Sequence, residues 1–215
     1  MSNSTFLPEN FKVTNWENLK TYYDELNDRQ INSAEELRKW LRNRSELESI
    51  VSEDMGWRYI RMTCDTASEE KQQAFNYFVT EIEPHIQPYS NSLNEKLLKS
   101  SYKTSLTSKA DEILLKTVEF HHKTFRDENI PLQTEIQQEQ VKYGATVGGL
   151  TVTINGEEMT LQKASNLLFN PDREIRQNAY YEIQEKRLTV KQTLDDLYNS
   201  LIVKRDKIAK NAGFD

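Results

Sequence analysis

The chain has 215 residues, enough for one large domain or two small ones. Acidic residues outnumber basic ones, 34 against 28, which gives a formal net charge of -6. This balance argues against nucleic acid or an anionic membrane as the main partner, because both require a dense basic surface. No apolar run exceeds three residues. The sequence therefore predicts no membrane-spanning segment.

Cysteine content and the start of the chain bear on the cellular compartment. Cys64 is the only cysteine, so no disulfide can form within the chain, and a reducing compartment is expected. Residues 1–11 lack a basic segment followed by an apolar stretch, so no signal peptide is predicted. Together these features predict a cytoplasmic location.

Helix-start signals recur in the first half of the chain. In a capping box, a hydroxyl side chain accepts a hydrogen bond from a free backbone N–H of the first turn. The acidic side chain three residues later accepts one from the backbone N–H of the capping residue. Each candidate box here is followed by apolar residues at helical spacing. The candidate boxes are Thr14–Glu17, Ser33–Glu36 and Thr66–Glu69.

Two prolines lie in the middle of the chain, and further helices are predicted after them. Pro84 and Pro88 predict a bend or break of the third helix near His85. A further helix is expected at about residues 91–99, and another at about residues 108–127. The residues predicted to face inward on the latter helix are Ile113, Leu114, Val118 and Phe125.

The amino-acid composition changes after residue 143, where glycine becomes frequent. Residues 144–149 are expected to form a flexible entry into a hairpin. Residues 150–154 alternate apolar and hydroxyl side chains, the pattern of a half-buried strand. Asn155-Gly156 is a strong hairpin-turn signal, because both positions tolerate positive φ. Helices then resume, and the last is expected to end at Gly213.

These patterns predict a mostly α fold, a multi-helical array with one short β-hairpin near residues 150–161. Residues 101–108 are rich in Ser, Thr and Lys, which suggests a soft boundary there. The predicted domains are a helical subdomain at residues 1–105 and a helical segment with the inserted hairpin at residues 106–215.

A search for catalytic patterns finds no complete site. The His-Glu-x-x-His helix of zinc hydrolases is absent from the sequence. Glu119 and His122 form one Glu-x-x-His pair, but di-iron bundles need two such pairs and two more carboxylates. Cys64 is interpreted as a small packing residue. The sequence therefore predicts no catalytic, cofactor-binding or metal-binding residue, and a helical-bundle metalloprotein would rest on Glu119 and His122 alone.

Six short phrases of the sequence, taken in order, carry a family resemblance. The first phrase, residues 58–67, reads Arg-Tyr-Ile-Arg-Met-Thr-Cys-Asp-Thr-Ala. The others lie at residues 128–135, 143–145, 155–161, 171–176 and 204–214. In this order the phrases resemble the oligoendopeptidase F branch of the M3 metallopeptidases. The resemblance covers nearly the whole chain, and the shared order of the phrases makes it specific.

This resemblance implies a mostly helical zinc endopeptidase that cuts short peptides inside a deep channel. In that family the zinc ligands and the catalytic base lie well beyond the matching segment. The resemblance thus implies an N-terminal portion that forms a wall of the channel, with residues 106–215 starting the peptidase domain. Zinc would belong to the intact enzyme. The expected partners are oligopeptides and the C-terminal catalytic portion, and the 215-residue chain alone is predicted to be inactive.

A hypothesis of another class stays open. The chain could be a free-standing helical interaction module that docks a partner through its hairpin edge or its final helix. The coding sequence after codon 215 distinguishes the two hypotheses. A continued frame with His-Glu-x-x-His favours the peptidase, and a stop favours the module.

Overall fold

The computed structural model describes residues 6–215. These residues are mostly helical, with one two-stranded antiparallel hairpin, so the predicted fold class is confirmed. They divide into two compact units. The first contains the described residues up to Thr134 together with Ile208–Asp215, and the second contains Glu135–Lys207. The predicted boundary at residue 105, which concerns the start of the peptidase domain, stays a prediction.

The first unit is built from helices in sequence. They are α1 (Trp16–Asp28), α2 (Ala34–Cys64), α3 (Glu69–Tyr77), a π-helical turn (Phe78–Ile82), α4 (Glu83–Lys99), a 3-10 turn (Ser101–Ser105), α5 (Lys109–Thr124) and the start of α6 (Asn129–Gly148). The second unit contains the hairpin and further helices. They are β1 (Thr151–Ile154), β2 (Glu157–Thr160), α7 (Leu161–Ser165), a 3-10 turn (Asn166–Phe169), α8 (Arg173–Thr189) and most of α9 (Lys191–Asn211).

The helix starts confirm one of the three predicted caps. Ser33 caps α2, and its Oγ accepts from the backbone N–H three residues later at 3.1 Å. Asn15, not Thr14, caps α1 through the equivalent bond at 2.9 Å. Ser68, not Thr66, caps α3 at 3.4 Å. Asn and Ser cap at least as well as Thr, so the sequence pattern alone could not rank neighbouring candidates.

Of the bend or break predicted near His85, the break is wrong, because α4 runs without interruption from Glu83 to Lys99, and the bend stays a prediction. The irregularity lies just before it, in the π-helical turn. A proline ring clashes with the carbonyl four residues earlier in an α-helix. That residue is Thr80 for Pro84, and it lies within the wider turn. We interpret the π turn as the relief of this clash, which lets the helix continue.

A single apolar core holds the first unit together. It joins α1, the first half of α2 and α4, and it also includes Phe78 and Ile82 of the π turn. Trp40 is fully buried at its centre and donates from Nε1 to the backbone oxygen of Leu26 at 2.9 Å. The other fully buried members are Leu19, Tyr23, Leu26, Leu37, Leu47, Ile82, Leu93 and Leu97.

The second unit packs the hairpin on helices. Val152 pairs with Met159, and both side chains are buried. The turn residues Asn155 and Gly156 have φ values of 54° and 81°, as a type I′ turn requires. The predicted hairpin is therefore confirmed. A two-stranded sheet is marginal alone, and here its apolar face is covered by α7 and α8 through Leu161, Ala164, Ala179 and Ile183.

Two predictions about glycines had opposite outcomes. The predicted flexible entry at residues 144–149 is wrong, because α6 continues through Gly148. Gly213 does end the last helix, with φ of 87°. The Phe214 amide bonds to the Ala209 oxygen at 3.0 Å, which closes the helix end as predicted.

The rotation of α5 differs from the prediction. Ile113 and Leu114 were expected to face inward, but they are exposed by 57% and 36%. The buried residues of this helix are Asp111 and Val118, seven positions apart and hence on one face. Asp111 is held by Arg38 of α2. This ionic contact helps to fix a rotation that apolar spacing could not indicate.

Candidate functional site

The Glu-x-x-His pair on α5 has an ordinary structural setting. His122 Nδ1 lies 2.8 Å from the side-chain oxygen of Asn91 on α4, and Glu119 is exposed. His85 stacks on Trp16 with ring centroids 5.4 Å apart. Within residues 6–215, no three His, Cys, Asp or Glu side chains are grouped so that they could hold a metal ion. We therefore assign no metal ligand and no catalytic step to the described residues.

Cys64 lies at the last position of α2 and is exposed. Its interpretation as a small packing residue is therefore wrong. The helix ends there, and the following Asp65 forms an ion pair with Lys71 at 2.7 Å. The Lys71 ammonium holds the pKa of Asp65 below its usual value. Cys64 thus lies at the exposed C-terminal end of α2, where its thiol is accessible to a label.

The best-connected polar group in the first unit is the Asp111 carboxylate. Arg38 Nη1 and Nη2 donate to it at 2.5 and 2.7 Å. The Ser108 backbone N–H and hydroxyl also donate to it, at 2.9 and 2.8 Å. The Arg38 hydrogen bond, followed by the two from Ser108, holds the pKa of Asp111 well below its usual value. Both carboxylate oxygens of Asp111 accept hydrogen bonds from these donors. The carboxylate therefore stabilises the fold and is not poised to act as a base.

We expect Asp111→Asn to destabilise the first unit at neutral pH and to have a smaller effect in acid. A carboxylate with a lowered folded-state pKa adds stability above its unfolded-state pKa of about 3.9, and this stability is lost as pH falls further. The difference between wild type and variant should therefore be constant above about pH 5 and shrink below about pH 4. Urea denaturation at several pH values measures it. A difference that does not change with pH would contradict the ionic role.

In the second unit, a half-buried ion pair joins α6 to α9. Lys204 Nζ lies 2.7 Å from Glu139 Oε1 and 3.4 Å from Glu135 Oε2. The Ser200 hydroxyl donates to Glu139 at 3.0 Å. The Lys204 ammonium lowers the pKa of Glu139. This carboxylate is again neutralised by its partners, so it is not poised to accept a proton near neutral pH.

The second unit also exposes many large apolar side chains. Several lie on α8 and α9, where the exposed fractions run from 46% to 67%. We call this set the α8–α9 apolar residues; it consists of Tyr180, Tyr181, Leu188, Tyr198, Ile202 and Val203. Over the described part of the chain, no helix combines the length and apolar character needed to cross a bilayer.

Comparison with known proteins links the chain to one peptidase family. The family model for the Peptidase M3 N-terminal domain matches residues 6–125. No curated protein matches the chain. Among solved structures, a complex of PZ peptidase A with an inhibitor has 24% identity and a TM-score of 0.87, covering 98% of this chain and 38% of that one.

Two further structures are assigned as oligoendopeptidase F. One has 24% identity and a TM-score of 0.86, covering 96% of this chain and 37% of that one. The other, from Bacillus anthracis str. Ames, has 22% identity and a TM-score of 0.86, covering 99% and 40%. The chain thus spans about two fifths of the length of these structures.

The structural matches lie below 25% identity and show a shared fold. The family assignment rests on the family model, which matches more than half of the chain. The matched residues include α1 to α5. The resemblance that was read from the ordered phrases is thereby confirmed: the chain belongs to the M3 peptidase family and contains its N-terminal domain.

Proposed function

We propose that this chain is the N-terminal part of an oligoendopeptidase F-like zinc metalloendopeptidase that hydrolyses short peptides. The observation that carries the proposal is the M3 family match together with a shared fold over nearly the whole chain. The relatives of known structure continue for more than half of their length beyond the shared part. That length leaves room for a zinc site that the described residues do not provide.

In this proposal the chain walls one side of the substrate channel and limits the size of the substrate. Rigid helices suit that role, because a channel excludes folded proteins only if its walls keep their separation. The main core of the first unit and the buried cluster under the hairpin would supply that rigidity. Residues 106–215 would begin the peptidase domain, and the enzyme would act in the cytoplasm.

The chemistry would come from residues outside this chain. A bound zinc ion lowers the pKa of a water molecule, so that hydroxide is available near neutral pH. None of the described residues is assigned to hold the ion or to move a proton. Their contribution would be to exclude bulky substrates and to support the catalytic portion.

The α8–α9 apolar residues support the proposed contact with a catalytic portion. Burying an apolar side chain contributes about 25 cal/mol per Å² of surface removed from water. Burial of the six large side chains exposed on these two helices by a partner would therefore favour association. Within the proposal, they pack against the catalytic portion of the same enzyme.

The test is hydrolysis of a quenched fluorescent peptide. We expect no hydrolysis by the pure 215-residue chain. We expect the product of the complete reading frame to cleave the peptide, to lose activity in chelator and to regain it with zinc. Chelator-sensitive hydrolysis by the shorter chain alone would contradict the division of labour.

The alternative is a free-standing interaction module without enzymatic activity, and the same exposed apolar residues are the observation that favours it. Sequencing past codon 215 separates the two. A stop codon there would contradict the peptidase proposal. A continued reading frame that encodes His-Glu-x-x-His would contradict the interaction-module hypothesis.

A further inference from the structure

We propose that residues 57–77, which we call the outer hairpin, move as a unit about a hinge. The outer hairpin consists of the last part of α2, the turn after it and all of α3. The hinge is formed by Gly56 on α2 and by the π turn, Phe78–Ile82, where the chain returns. This inference concerns the first unit alone and does not depend on the proposed peptidase function.

The outer hairpin stands apart from the main core. Phe78 and Met55 flank it in sequence; Phe78 belongs to the core of the first unit, and Met55 packs against that core. Residues 57–77 are all described, and none of their apolar side chains belongs to the core or packs against it. The hairpin has its own buried side chains, Met62 and Phe75. It is therefore joined to the main body chiefly through its two ends.

Gly56 supplies the first half of the hinge. It lies inside a helix of 31 residues. A Cβ built at Gly56 would meet nothing within 4 Å, so close packing does not require glycine there. Glycine inside a helix is disfavoured relative to alanine by about fivefold in the helix equilibrium. A helix weakened at one point bends there more easily than elsewhere.

The π turn supplies the second half. It interrupts the hydrogen-bond ladder between α3 and α4, and π turns and prolines are common causes of helix bending. Pro84 and Pro88 follow it and lack backbone donors, which further weakens the ladder on that side. The two helical segments that connect the outer hairpin to the core thus have weakened backbone hydrogen bonding or helix propensity near the point where they leave the core.

Arg58, two residues after Gly56, contacts the first residue of the π turn. Its guanidinium lies 5.7 Å from the centre of the Phe78 ring, and Nη1 donates to the Ala74 oxygen at 3.0 Å. Nη2 donates to the Val13 oxygen at 3.2 Å, which ties the hairpin to the main body. Arg58 is therefore placed as a latch that holds the outer hairpin in the observed position.

Spin-label distances test the hinge, because Cys64 is exposed on the outer hairpin and is the only native cysteine. A second label introduced by Thr21→Cys, on the exposed side of α1, forms with Cys64 the hairpin-to-core label pair. A label introduced by Gln73→Cys instead forms with Cys64 the internal label pair, which lies within the hairpin and serves as the control. We expect a broad distance distribution for the hairpin-to-core pair and a narrow one for the internal pair.

Three variants then separate the parts of the hinge. Gly56→Ala should reduce the displaced population of the hairpin-to-core pair by about fivefold, since alanine favours the helix by that factor. Arg58→Gln should increase it by removing the latch. Arg61→Gln is the matched control, because Arg61 is exposed and contacts Trp57 of the hairpin itself. It should leave the distribution unchanged.

Two results would overturn the proposal. One is a hairpin-to-core distance distribution as narrow as that of the internal pair. The other is a broad distribution that does not respond to Gly56→Ala. If Arg58→Gln fails to fold, Gly56→Ala still decides the question, because glycine at this helical position meets no neighbour that a methyl group would displace.

Discussion

Trp40→Ala is expected to lower the free energy of unfolding of the first unit by about 3–5 kcal/mol, the usual range for truncating a buried tryptophan. Trp40 is fully buried in the main core. Its ring is also covered by Arg44, whose guanidinium lies 5.9 Å from the ring centre. Truncation would remove this packing, leave a cavity and take away the hydrogen-bond donor to the Leu26 oxygen.

Tryptophan fluorescence during urea denaturation measures this loss in the first unit, because all three tryptophans lie there and Trp16 and Trp57 remain as probes. Trp57→Ala is the matched control. Trp57 is 49% exposed on the outer hairpin, so the same truncation should cost no more than about 0.5 kcal/mol. Equal effects of the two substitutions would contradict the assigned position of the core.

Much of the fold could be predicted because short-range patterns determine it. Leu19, Tyr23 and Leu26 recur at helical spacing, and all three are fully buried. The strand alternation and Asn155-Gly156 likewise predicted the hairpin, because side-chain period and turn geometry are local properties. Such features depend on a few consecutive residues, so they can be recognised directly in the sequence.

One error, the rotation of α5, arose where distant residues interact. The rotation of α5 follows the contact between Asp111 and Arg38, which are 73 positions apart. No local pattern indicates that pairing. The exposed Ile113 and Leu114 supplied a misleading apolar signal on the other face. The half-buried pair of Glu139 and Lys204 is a second contact of this kind that the sequence did not reveal, because its residues are 65 positions apart.

Family membership was predictable in a different way from fold. No single residue revealed it, and the described residues group no metal ligands. The order of several weak phrases identified the M3 family, and the family model confirmed the assignment. Zinc dependence, the channel wall and the oligopeptide substrates remain proposals, because the chain spans only about two fifths of the length of the structures that it resembles.

Removal of the Lys96 ammonium should be the next most damaging change. Its Nζ donates to three backbone oxygens at the end of α1, those of Leu26, Asn27 and Arg29, at 3.1, 2.6 and 2.6 Å. The last carbonyls of a helix have no partners within the helix. Lys96 satisfies them from α4, and burial lowers its own pKa. The Leu26 oxygen thus accepts from both Trp40 and Lys96.

Lys96→Met keeps the length of the side chain and removes the donor. We expect it to lower the free energy of unfolding by about 2 kcal/mol, because a hydrogen bond from a charged group contributes about 1.5–3 kcal/mol. Lys99→Met removes the same charge three residues later, where the side chain is 75% exposed and pairs with Glu95. Its cost should stay below about 1 kcal/mol. Urea denaturation compares the two. Equal losses would mean that net charge, and not capping of α1, explains the effect.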